Sequence, residues 1–214
     1  MKKNIFLTVV LVLGFASSLL SQDEGYEGRS SNYFLNRSLF SVNYNLTFPL
    51  GDLHDFIPVT GVAGFDVEYK ALVTDNIAIG GMIGYESFYK KYDRDTYYFE
   101  NGALTSTIFK YYYTVPMRVV FDFFISPGSF VQPFVGLSTG VNYNERRLEV
   151  GFYALEDKSW NYVVAPEAGL IIPFGKFSEW GFSAKARYNY QVYDRDNFSG
   201  LQYLDVSLGF TYSY

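Results

Sequence analysis

The chain has 214 residues, which fits one domain. A net charge of −5, from 22 acids against 17 lysines and arginines, excludes a broadly basic nucleic-acid surface. There is no cysteine, so disulfides, lipid-modified cysteines and thiolate metal sites are excluded, while 21 Tyr and 21 Phe make an aromatic share of 21% that needs a cause.

The first element is "MKKNIFLTVVLVLGFASSLLSQ": Lys2 and Lys3, an apolar stretch from Ile5 to about Phe15, then small residues. This is the layout of a secretory signal peptide over 1–21, with cleavage expected after Ser21, or alternatively after Ser18. The apolar part falls short of the ~20 residues of a spanning helix, though a short membrane anchor is the competing reading. Removal of 1–21 takes away two lysines and no acid, so the net charge goes from −5 to −7.

A polar lead-in follows over 22–38, and from 39 to 214 one pattern recurs. Apolar and polar residues alternate with period two, the mark of strands with two unlike faces. The alternation predicts eight strands at about 39–48, 62–71, 77–89, 107–123, 131–144, 160–173, 180–193 and 203–214. Pro116 and Pro166 interrupt two of them, each removing a ladder donor. Parity continues past both, which predicts local bulges without a register shift. Between strands, the links near 72–76, 125–129 and 175–179 are short, with Asp-Asn, Pro-Gly and Gly signalling tight turns. The links at 49–61, 90–107, 145–159 and 194–200 are longer and polar, and "GDLHDF" (51–56) reads as one short turn of helix. Short turns at one end and long loops at the other describe an up-and-down meander.

Face composition decides between a membrane barrel and a soluble one of the same topology. One parity is bulky: Phe109, Tyr111, Tyr113, Val115, Met117, Val119, Phe121 and Phe123 on a single strand. The other parity is glycine, serine and charge. An eight-stranded barrel has an interior that side chains only just fill, so the bulky parity must face outward. An outward apolar belt of that extent aggregates in water and is solvated in lipid. In lipid, unpaired backbone groups are prohibitive, so the sheet must close. The reading is an all-β, closed, antiparallel transmembrane barrel of eight strands, monomeric, in contact with outer-membrane lipid.

The inward parity then holds Asp66, Glu68, Glu86, Asp122, Glu167 and Asp205 with Lys70, Lys110, Arg118, Lys185 and Arg187. Near balance predicts a paired network that fills the lumen, since buried charges are tolerable only when paired. A charge-lined pore or proton path is the functional alternative. The aromatic excess finds its cause at the membrane–water boundary, where Tyr and Trp sit best. Tyr44, Tyr69, Trp160, Trp180, Tyr190, Tyr212 and Tyr214 are the candidates for these girdles, joined by Tyr85, Tyr89, Tyr111 and Tyr143.

Catalytic and cofactor chemistry has little to stand on. The one histidine, His54, lies in the first long link without a strand-held serine partner, and no GxGxxG, P-loop or HExxH occurs. The acidic runs "RDTYYFENG" and "YDRDNFSG" do not match calcium-loop spacing. No catalytic residue, cofactor or metal site is expected.

The first strand and link "SVNYNLTFPLGDLHDF", the strands "PFVGLSTGVNY" and "APEAGL", and the terminal "LDVSLGFTYSY" resemble the small outer-membrane β-barrel proteins of Gram-negative bacteria. The likeness is to OmpA-type, OmpX-like and OmpW-like barrels, and especially to the "porin family" barrel domains of Bacteroidetes, over about 36–214. It implies an integral outer-membrane location with both termini periplasmic and long loops outside. It also implies that the barrel-assembly machinery reads the aromatic terminal strand. A structural or interaction role through the exterior loops is the leading expectation, with a partner on either side of the membrane. A narrow channel for small or hydrophobic solutes and an accessory subunit of a secretion apparatus are the rivals.

Overall fold

The computed structural model describes residues 38–99, 102–151, 153–176, 178–192 and 200–214; the expected leader and almost all of the lead-in lie outside them. The period-two stretches form β1 (Ser38–Leu50), β2 (Gly61–Leu72), β3 (Ile77–Phe99) and β4 (Gly102–Phe124). They continue as β5 (Gln132–Val150), β6 (Tyr153–Pro173), β7 (Trp180–Gln191) and β8 (Leu201–Ser213). "GDLHDF" is a short helix, α1 (Gly51–Phe56), as expected. Each strand pairs antiparallel with its sequence neighbours, and β8 returns to β1 to close the barrel.

Closure explains why the alternation runs on to Tyr214. The β1–β8 ladder runs unbroken from Leu39↔Ser213 to Leu50↔Gln202. Beyond it, the Tyr214 N–H donates to the Ser38 carbonyl at 3.0 Å and the Ser38 N–H to the Tyr214 carbonyl at 3.1 Å. Tyr214 is therefore fixed by two backbone hydrogen bonds, and its ring stacks 5.8 Å from that of Tyr212.

The two parities separate as the face argument requires. On β8, Tyr203, Asp205, Ser207, Thr211 and Ser213 are buried, while Leu208 is 45% and Phe210 56% exposed. At the prolines the structure departs from expectation. The β3–β4 ladder passes from Ile83↔Met117 to Glu86↔Thr114, and β6–β7 from Val164↔Tyr190 to Glu167↔Arg187, with the register unchanged. No residue is inserted, so there is no bulge. Each proline simply lacks its N–H towards one neighbour and still pairs on its other side, Pro116↔Asn142 and Pro166↔Leu137.

A larger correction concerns the links expected at 90–107 and 145–159. Apart from Gly151, a turn residue, their described residues are strand: β3–β4 pairing extends to Phe99↔Gly102, β4–β5 to Ile108↔Val150, and β5–β6 to Val150↔Tyr153. The flanking strands stop earlier, since β2 pairs with β3 only as far as Phe65↔Tyr85 and β7 with β6 only as far as Val163↔Gln191. A four-stranded sheet thus rises beyond the wall. Both of its faces leave the belt, so apolar alternation no longer marks it. Charge does the work instead, because three consecutive cross-strand pairs match opposite signs: Glu145↔Lys158, Arg146↔Asp157 and Arg147↔Glu156. Their ion-pair distances are 3.7, 3.8 and 3.5 Å, and opposite charges directly across a ladder favour this register over one that opposes like charges.

Candidate functional site: a sealed lumen beneath a raised sheet

The lumen has three layers. At the short-turn end, Leu39, Ala78, Phe124, Phe134 and Ile171 form an apolar floor. At the long-hairpin end, α1 lies across the mouth, and its Leu53 and the following Ile57 are buried against Phe88, Tyr112, Leu201 and Tyr203. The charged network fills the space between.

Ten of the eleven expected lumen charges lie buried in that middle layer. Arg187 is its hub. Its Nε donates to Glu167 at 2.6 Å, one Nη to Glu68 at 2.7 Å, and the other approaches Asp66 at 3.6 Å. Lys185 bonds Glu68 and lies 3.6 Å from Asp66. Lys70 bridges Asp122 at 2.7 Å and Glu68 at 3.0 Å. Nearer the mouth, Arg118 donates to Asn142 at 3.2 Å, to the Tyr203 hydroxyl at 3.1 Å and to Asn189, and Asn189 donates on to Asp205 at 2.7 Å. Glu86 sits against Asp205. Lys110 stands apart: half-buried at the mouth, it donates to the Phe56 carbonyl at 2.9 Å and lies 4.9 Å from the Phe56 ring. Arg146 covers the same ring at 5.5 Å, so two cations latch α1 down.

Glycines make room for this network. Lys70 lies directly across from Gly80, Asp66 from Gly84, Asp122 from Gly136, Arg118 from Gly140 and Lys185 from Gly169. A Cβ on Gly169 would come within 2.7 Å of the Lys185 Cβ, and one on Gly140 within 2.8 Å of the Arg118 Cα. Each long side chain folds across its glycine neighbour, which is why the inward parity alternates charge with nothing at all.

The expected girdle residues fall into three places. Trp180, Tyr212 and Tyr214 cluster at the short-turn end, with Trp180 and Tyr212 centroids 4.9 Å apart and the Tyr212 hydroxyl donating to Glu179 at 2.8 Å. Tyr69 joins them, its hydroxyl 3.2 Å from that of Ser38. Trp160, 5.2 Å from Tyr143, and Tyr190 lie at the long-hairpin end. Tyr44 instead sits mid-wall opposite Leu208 and donates its hydroxyl to the Val62 carbonyl. His54 is exposed on α1, 3.9 Å from Asp55. Among the described residues no group of three His, Asp or Glu is arranged to hold a metal ion.

Sequence reasoning missed the inward aromatics Phe88, Tyr112, Tyr203, Phe124 and Phe134 that seal the ends. Their parity is legible, since they share a face with Glu86, Asp205 and Asp122. Their bulk argues against an inward position, yet only the middle of a narrow barrel excludes bulk. At the mouth, beside α1, a cavity of about 10 Å³ lies between Leu53, Phe56, Tyr112 and Leu201 on one side and Asn144, Arg146, Asp157 and Ser159 on the other, no more than one water requires. The purified protein in planar bilayers is therefore expected to pass no steady current. Large stable steps that respond to substitution of Arg118 or Glu167 would contradict the seal.

Above the mouth the chemistry is that of an exposed surface. Glu145 and Glu156 flank Lys158 and hold its ammonium above the usual lysine range. Tyr153 and Leu155 are 79% and 67% exposed on the neighbouring parity of β6.

No family model and no curated protein matches the sequence. Among solved structures, the chain is similar to Neisserial surface protein A, at 12% identity over 84% of this chain and 98% of that one, with a TM-score of 0.54. It is also similar to a major outer membrane protein from Thermus thermophilus, at 12% identity over 82% and 98%, with a TM-score of 0.51. Closed eight-strand topology and these likenesses agree: the chain has the fold of the small outer-membrane β-barrels.

Proposed function

We propose that the protein is an integral outer-membrane anchor that presents the sheet formed by β3 to β6 outside the cell as a binding surface, without catalysis. The observation that carries this reading is the contrast between a lumen closed at both ends and a sheet raised above it, whose two edges have no strand beside them among the described residues. An unpaired edge offers a row of N–H and C=O groups to an extended segment of another polypeptide. The belt of Val42, Val135, Leu137, Leu208 and Phe210 supports contact with lipid. Short turns opposite long hairpins support an orientation with the termini in the periplasm and the sheet outside. The family resemblance adds the barrel-assembly machinery as the biogenesis partner, and the continuous outward belt fits a monomer in the bilayer. A narrow channel has no support in a lumen sealed by two apolar layers.

Topology tests the reading. An epitope inserted at Asp95, on the raised part of β3, should be labelled on intact cells. One at Asp75, in the turn before β3, should be labelled only after lysis. The reverse pattern would overturn the orientation and with it the surface role.

A further inference from the structure

The lumen network does not balance. Among the described residues, six buried carboxyl groups meet four buried cations, because Lys110 stands at the mouth. Lys70, Lys185 and Arg187 make their ion pairs with Asp66, Glu68, Asp122 and Glu167. That leaves Arg118 for Glu86 and Asp205, and Arg118 spends its hydrogen bonds on Asn142, Asn189 and the Tyr203 hydroxyl. The shortfall therefore gathers at one place. Glu86 of β3 and Asp205 of β8 are both fully buried and touch each other. One oxygen of Asp205 accepts from Asn189 at 2.7 Å, while the other has no donor among the described residues. Apart from the Tyr203 hydroxyl that faces it, Glu86 has none on either oxygen. Two carboxyl groups in contact, away from water and without a cation, do not both ionise.

We propose that Glu86 and Asp205 hold one proton between them, so that the folded barrel contains a structural proton-binding site. Glu86 carries the proton and donates it to the open oxygen of Asp205. A hydrogen bond thus replaces a repulsion, and the lumen's deficit of two charges is halved. The charged and titratable groups that face the pair are Arg118 of β4, Arg187 of β7 and Tyr203 of β8, with Tyr112 of β4 behind Tyr203. Thr47 of β1, Thr114 of β4 and Asn142 of β5 carry no charge, and the acids of β2 and β6 turn to Arg187 instead. The shared proton is the one whose loss changes the charge there. In the unfolded chain both carboxyl groups meet water and are ionised above about pH 4–5. Folding above that range takes up one proton, so the contribution to stability is full in mild acid and is lost as pH rises. Glu86 lies next to Phe88 on the inward face of β3, and Asp205 next to Tyr203 on that of β8. These two rings meet at 6.4 Å beneath α1, so ionisation would set two like charges directly under the lid.

The full chain, folded in detergent at neutral pH, should show the infrared C=O stretch of an un-ionised carboxyl group. Glu86→Gln and Asp205→Asn should each abolish that band. In urea, the unfolding equilibrium constant of the parent should rise with pH relative to that of Glu86→Gln. The rise is about tenfold per pH unit where one whole proton is taken up. Glu86→Gln should itself fold, as heat-dependent gel mobility reports, because its amide donates to Asp205 as the acid does. A missing carboxyl band, a pH profile shared by the parent and Glu86→Gln, or an unfolded Glu86→Gln would each overturn the proposal. A metal ion bridging two carboxylates is the rival, and it predicts no band and a parent protein destabilised by EDTA. That result would overturn the proposal too. None of these readouts depends on what the raised sheet binds.

Discussion

Arg187→Met should destabilise the folded barrel by about 3–5 kcal/mol, the usual consequence of removing one partner from a buried ion network. The guanidinium is fully buried and touches Glu167, Glu68 and Asp66. Methionine keeps the apolar stem but stops short of the guanidinium, so the charge and its hydrogen bonds are lost while the packing of the stem is kept. What remains is an excess of carboxylate with no water to solvate it. Another cation of the network, Lys185, already serves Glu68 and Asp66, so it is not free to compensate. Urea unfolding in detergent, followed by the fluorescence of Trp160 and Trp180, gives the measurement. The companion Lys158→Met, on the exposed sheet, should barely move the midpoint. A loss under about 1 kcal/mol for Arg187→Met would mean that water reaches the network. The picture of a sealed lumen would then fail.

The wall was legible because its two faces meet different surroundings. Leu208 and Ser207 differ by one position, and one is exposed while the other is buried, so the period of two is written into the residue types. The lumen network was legible for the same reason. The glycines opposite five of the charges were visible in the sequence, but their pairing was not, because Lys70 and Gly80 become neighbours only once the β2–β3 register is known. The raised sheet was hidden by physics of another kind. With both faces away from the belt, Glu145 to Glu149 carry charge on both parities, and hydropathy reads them as a loop. The available signal was complementarity: Glu-Arg-Arg at 145–147 against Glu-Asp-Lys at 156–158, matched in antiparallel order. Cross-strand charge order is a better guide than alternation wherever a strand leaves its belt. The same physics explains why the sequence shows α1 only as a helical turn. Its role as a lid depends on Phe88, Tyr112 and Tyr203, which come from three other strands.

Leu208→Arg and Leu155→Arg make the same change at two exposed leucines, and they should differ widely. Leu208 lies mid-strand on β8, between Tyr44 of β1 and Ala184 of β7, and is 45% exposed. Leu155 lies on the raised part of β6 and is 67% exposed. In water, both substitutions would be mild, and arginine at either site would if anything aid solubility. In a bilayer, an arginine on the lipid face near the midplane costs about 2–4 kcal/mol, whereas beyond the interface it costs about 0–1. The expected result is a loss of that size for Leu208→Arg, seen as reduced outer-membrane assembly and a lower urea midpoint after refolding into lipid vesicles. Leu155→Arg should behave as the parent protein in both measurements. Equal tolerance of the two would mean that the outward belt meets water, and the membrane reading of the barrel would fall with it. Equal damage would place the raised sheet inside the bilayer and move the boundary set by Trp160 and Tyr143. Only a wide gap between two chemically identical changes agrees with a wall in lipid and a sheet above it.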